Sequence, residues 1–99
     1  MPLVIRHGFE WDSVKAAANL KKHHVSFEEA ETAFSDPLAL MDPETVSSGS
    51  EERLNLIGFS VKARLLMSVH VERGVRTRII SARAANRREE KLYEKQGGK

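Results

Sequence analysis

Five arginines, Arg53, Arg64, Arg76, Arg78 and Arg83, recur through the second half of this 99-residue chain, with His70 among them. A guanidinium is a permanent planar cation that meets a phosphate through two parallel N–H bonds. Imidazole titrates near neutrality and can move a proton. Together such groups suit a polyanion such as RNA or DNA, and they are the groups a metal-free ribonuclease would use if RNA were its substrate. RNA brings its own nucleophile, the 2′-OH next to the scissile phosphate. The protein then needs a base for the 2′ proton, cations for the charge on the phosphoryl oxygens, and an acid for the leaving 5′ oxygen. The products would be a 2′,3′-cyclic phosphate and a 5′-hydroxyl. Arg64 and Arg78 are the candidates for phosphate charge, His70 for proton transfer, and Glu52 is an alternative base. Arg83 either reaches the same site or caps a helix. There is no cysteine, which excludes disulfides, thiolate metal sites and thiol nucleophiles. No P-loop and no metal-ligand spacing occurs, so neither cofactor nor metal is expected.

Strand alternation would bring these residues together. From Ala63 to Glu72, one face shows Ala63, Leu65, Met67, Val69 and Val71, and the other shows Arg64, Leu66, Ser68, His70 and Glu72. The apolar face is expected to pack against helices. The polar one would then join Arg53, Arg76 and Arg78 from neighbouring strands in one sheet face for RNA. A solvated face also carries polar residues, but three adjacent strands favouring Arg over mixed Lys and Glu raise the polyanion reading.

The elements that must hold this face read as follows. Leu3 to Glu10 is a strand and Trp11 to His24 a helix, with Asp12 as its N-cap and Trp11, Val14 and Ala18 on its inner stripe. Lys22 and His23 close that helix, either as RNA contacts or as favourable charge at its C-terminus. Ser26 to Glu29 has the capping-box form and opens a second helix, with Phe27, Ala30 and Phe34 inward and Pro37 ending it. A short strand, Leu38 to Met41, precedes a loop from Asp42 to Ser50. Strands at Glu52–Phe59, Ala63–Glu72 and Val75–Ser81 follow, the last two joined by a hairpin at Glu72–Gly74. A charged helix runs from Ala84 to Lys95, and residues 96–99 form a disordered tail, leaving residues 1–95 as one domain. The class is α+β, with two N-terminal helices on one face of an antiparallel sheet and a C-terminal helix.

Charge is divided along the chain. Residues 1–52 carry 4 Lys/Arg against 10 Asp/Glu, and residues 53–99 carry 12 against 4. A basic C-terminal half suits RNA or DNA, or simply neutralises the acidic half. No run approaches membrane-spanning length and no signal-like stretch opens the chain, so a soluble cytoplasmic protein without membrane contact is expected.

The ordered motifs resemble a known family. Phe9-Glu10-Trp11-Asp12 with Lys15, Asn19 and Lys22-His23 resembles the opening of the BrnT toxins. Val25 to Ala30, Phe34 and Asp36-Pro37 continue the likeness, as do Glu51-Glu52-Arg53, Ile57-Gly58 and Arg64-Leu65-Leu66. Glu72-Arg73-Gly74, Arg78 to Ala84, Arg87-Arg88-Glu89 and Tyr93-Glu94 complete it. The resemblance implies a RelE-like fold, metal-independent endoribonuclease activity that inhibits translation, and a BrnA-like antitoxin carrying a ribbon-helix-helix DNA-binding part. DNA would be met only through that antitoxin. Arg64 and Arg78 match family positions. Two positions depart from it: His24 and Ala63 stand where the family favours glycine. The alternative reading is a non-catalytic nucleic-acid-binding module built on the same arginines.

Overall fold

Strands β1 (Leu3–Arg6) and β2 (Phe9–Asp12) form an antiparallel hairpin in the computed structural model, which describes residues 2–43, 47–48 and 51–98. The single strand expected over Leu3–Glu10 is therefore two. His7 and Gly8 sit at φ 52° and 84°, and a two-residue hairpin turn with both φ values positive matches the twist of the strands it joins. Trp11 consequently belongs to β2, and helix α1 spans Ser13–His23. Asp12 caps it as expected, its Oδ1 accepting from the backbone N–H groups of Val14 and Lys15. The inner stripe differs from the expected one. Val14 is 66% exposed, whereas Ala16 packs on the core and Asn19 is buried.

Helix α2 (Phe27–Ala33) begins at Ser26, whose Oγ accepts from the Glu29 N–H at 2.9 Å. Only half of the capping box forms there, because the Glu29 carboxylate turns to other partners described below. Strands β3 (Leu40–Met41), β4 (Ser47–Ser48), β5 (Glu51–Glu52), β6 (Leu54–Phe59), β7 (Leu65–Arg73) and β8 (Arg76–Ala84) follow. The expected 42–50 loop thus contains β4; residues 44–46 and 49–50 lie outside the described residues. The expected Glu52–Phe59 strand divides, since β5 pairs with β4 in a separate ribbon. Helix α3 (Arg87–Gly98) starts later than expected because β8 continues through Ala84, and it runs past Lys95, with Gln96 donating to the Leu38 carbonyl. Asn86 and Glu89 cap α3 reciprocally, each side chain accepting from the other's backbone N–H at 2.9 Å.

The main sheet has the order β1-β2-β8-β7-β6-β3. It is mixed rather than wholly antiparallel, because β2 runs parallel to β8. Gly58 lets β6 pass under the end of α2: a Cβ there would stand 2.9 Å from the Ala33 carbonyl oxygen.

The helices cover the face opposite to the expected one. Trp11, Leu66, Ile79 and Ala82 of the sheet pack with Val25, Phe27 and Ala30 in one buried cluster, joined by Phe9, Ala16 and Phe34. Strand register puts Ser68 and His70 on this face with Leu66. The direction is set by β2, whose Phe9 and Trp11 lead directly into α1. The apolar row Met67, Val69 and Val71 lies on the second face, part of which α3 covers through a Phe59–Tyr93 edge contact. With both faces partly covered, hydrophobicity alone did not decide which one meets α1 and α2. No helix among the described residues is long and apolar enough to cross a membrane.

Candidate functional site

The reversal of faces separates the residues that alternation had grouped. His70 is fully buried under α2, with its ring edge-on to Phe34 at 4.9 Å. Burial lowers its pKa below the ordinary 6.5, which Glu72, 3.5 Å from Nε2, only partly opposes. A side chain with no exposed surface cannot meet RNA, so the expected pairing of His70 with Arg64 on an open face does not form.

Arg64 lies just before β7 and is built into the scaffold. Its guanidinium grips the Glu29 carboxylate with two N–H groups and donates a third bond to the His24 carbonyl at 2.9 Å. Ser60 Oγ donates to the same carboxylate at 2.7 Å. The Arg64 hydrogen bonds hold the Glu29 pKa below the ordinary 4.5 although burial pushes it up. The two positions that depart from the resembled family's glycines flank this clamp, and both are left-handed: His24 at φ 61° and Ala63 at φ 59°.

Arg76 and Arg78 stay together on the second face. Arg78 Nη1 donates to Glu10 Oε2 at 3.0 Å, and Arg76 Nη1 lies 3.9 Å from Glu10 Oε1. Glu10 is 8% exposed, while the Arg76 and Arg78 side chains reach solvent at 43% and 24%. A carboxylate held between two guanidinium groups on a solvent-reaching sheet face is the arrangement that base and phosphate clamp require. Glu10 was not among the candidate residues singled out from the sequence. Its signal was parity: Glu10 stands between Phe9 and Trp11, so two core residues aim it at the other face.

A bulge in β8 extends this face. His70 pairs with Ile79 but Val69 pairs with Ser81, leaving Ile80 without an opposite residue. Parity flips there, so Arg76, Arg78, Ser81 and Arg83 share one face, which strict alternation would forbid. Arg83 is already occupied at α3, bound by two N–H groups to the Glu89 carboxylate at 2.9 Å each. Arg88 grips Asp42 in the same way, and Tyr93 donates to Asp36 at 2.7 Å. Burial would raise the Asp36 pKa, but bonds from Phe59 N–H, Leu38 N–H and Tyr93 outweigh it and hold it low. Burial and Asp36 push the Tyr93 pKa up to about 12, so its hydroxyl stays protonated as a donor.

The remaining candidates are dispersed. Glu52 is exposed on the β4–β5 ribbon, outside the main sheet, and Arg53 is exposed after it. Lys22 and His23 line an open cavity of about 270 Å³ with Lys15, Ala18 and Asn19 of α1 and Ile80 and Ser81 of β8. Among the described residues, no three His, Asp or Glu side chains converge as a metal site would require.

Comparison with known proteins places the chain in a family. The model of the family described as "Ribonuclease toxin, BrnT, of type II toxin-antitoxin system" matches residues 11–89, and the chain belongs to that family. No curated protein matches the chain closely.

Proposed function

Proceeding from that family, whose members are ribonuclease toxins paired with antitoxins, we propose that this chain cleaves RNA without a metal ion at the Glu10–Arg76–Arg78 cluster. The observation that carries the reading is this carboxylate, nearly buried yet flanked by two solvent-reaching guanidinium groups. A scissile phosphate competes with Glu10 for Arg78 and Arg76, which take up the charge gained by its oxygens. Glu10, released from its ion pair, accepts the 2′ proton. The 2′ oxygen bonds to phosphorus, the bond to the 5′ oxygen breaks, and that oxygen takes a proton from solvent. The products are a 2′,3′-cyclic phosphate and a 5′-hydroxyl, and loss of messenger RNA inhibits translation. The scaffold is of the RelE-like kind that the resemblance implies. Its partner is a BrnA-like antitoxin carrying a ribbon-helix-helix part, through which alone the toxin meets DNA.

The test is incubation of the purified, partner-free protein with RNA in EDTA, beside Arg78→Ala and Glu10→Gln. Cleavage by the parent chain that leaves cyclic phosphate ends and falls in both variants is the expected result. RNA binding without cleavage by the folded parent would favour the non-catalytic binding module. Equal cleavage by all three would remove this cluster from the chemistry.

A further inference from the structure

Six arginines on the sheet and its flanks already have a carboxylate beside them, Arg76 and Arg78 sharing Glu10. Arg6, Arg64, Arg76, Arg78, Arg83 and Arg88 each lie within 4 Å of a carboxylate oxygen. The cavity between α1 and β8 differs. Lys15, Lys22 and His23 line it, no carboxylate does, and none of the three side chains has an ion pair among the described residues. An entering anion meets lysines without a carboxylate partner here, whereas at Arg78 and Arg76 it competes with Glu10.

The cavity follows from the topology. Strand β2 pairs with β8 only at Phe9–Thr77 and Glu10–Arg78, after which the chain turns into α1. Helix α1 takes over the open edge of β8, and the Asn19 amide satisfies both Ala82 backbone groups. The bulge at Ile80 falls in the gap and brings Ser81 to the face of Arg78. A strand rise of about 3.3 Å per residue puts Ser81 within roughly 10 Å of Arg78 along β8. Favourable charge at a helix C-terminus explains Lys21, Lys22 and His23 equally. It does not explain Lys15, which sits near the other end, or why Lys21 is absent from the lining.

We infer that this cavity is a phosphate subsite for the RNA strand flanking the scissile bond: Lys15 and Lys22 neutralise a non-reacting phosphodiester, with Ser81 and His23 as hydrogen-bonding groups beside it. The inference rests on RNA as the substrate. It makes recognition extend over several nucleotides rather than one linkage, with an affinity that grows with RNA length.

The experiment is equilibrium binding of fluorescein-labelled 2′-O-methyl oligoribonucleotides, which cannot be cleaved, two and six nucleotides long, across a salt series. The full chain is compared with the Lys15→Gln/Lys22→Gln double variant, its fold checked by thermal denaturation. Both lysines are exposed, so the variant is expected to fold. The parent should bind the hexamer more tightly than the dimer. The variant should lose about tenfold for the hexamer and shed about 0.7 from the salt slope, the share of one single-strand phosphate. Unchanged hexamer binding in the variant overturns the subsite and leaves the nuclease reading intact. Equal loss for both lengths also overturns it, by making the lysines part of the reacting centre. A parent that binds neither oligonucleotide overturns the subsite together with the RNA reading.

Discussion

Two arginine–glutamate pairs, Arg64 with Glu29 and Arg78 with Glu10, share one chemistry and differ in setting. Glu29 receives two guanidinium N–H bonds and a hydroxyl bond, and the same Arg64 reaches the His24 carbonyl. Three guanidinium bonds and both carboxylate oxygens are used within the fold, so the pair holds α2, the end of α1 and the β6–β7 turn together. Glu10 receives one short bond from Arg78 and a distant approach from Arg76. That pair retains N–H groups and a carboxylate oxygen for something else. Arginine type and family position did not distinguish the two pairs; the number of internal partners does.

The contrast breaks most sharply if activity follows the wrong arginine. Arg78→Ala should lower the turnover of RNA cleavage by about 10²–10³, the usual cost of losing one charge-stabilising donor. Its melting temperature should fall less than that of Arg64→Ala, because Arg76 stays beside Glu10. Arg64→Ala should instead destabilise the fold by about 2 kcal/mol, below the 3–5 of a fully buried pair because Arg64 is 39% exposed. That is a fall of roughly 10 °C in melting temperature. Loss of activity without loss of stability in Arg64→Ala would reverse the assignment.

Acid titration of stability sharpens the same comparison. The Glu29 pKa is lowered by folding, so its contribution is fully present above 4.5 and lost as pH falls through the folded value. Arg64→Ala should flatten that part of the curve. Buried His70 acts in a higher window. Its pKa is also lowered, so folding favours the neutral ring, and stability declines as pH falls below about 6.5 toward the folded value. Denaturant unfolding of His70→Leu should lack this decline; a persistent slope would assign it to another group.

The smallest expected effect concerns the left-handed residues beside the clamp. Ala63→Gly and His24→Gly should each stabilise the protein by about 1 kcal/mol, since a side chain at φ near 60° carries strain that glycine lacks. Chemical denaturation of each variant checks this, and a lower midpoint in both would show that the freedom glycine adds to the unfolded chain outweighs the relieved strain.

Local signals were legible in the chain. Asp12 and Ser26 cap helices as their types and spacing indicate, Pro37 follows the end of α2, and a turn at Gly74 joins β7 to β8. The turn at His7–Gly8 was missed because histidine is a rare partner for glycine at positive φ. The candidate site was legible only in part. Arg76 and Arg78 share a face by simple alternation, but Glu10 joins them through a parallel pairing between strands far apart in sequence. Ser81 and Arg83 join through a bulge that no period-two pattern can show.

The sequence by itself determined the family, the class of the fold and the caps of α1 and α2, because ordered motifs and caps depend on residues close along the chain. The tertiary structure decided which sheet face α1 and α2 cover. Both rows of β7 contain residues able to be buried, and the direction in which Phe9 and Trp11 lead β2 into α1 broke that tie. His70 went into the core with Leu66, and Arg78 came out beside Glu10.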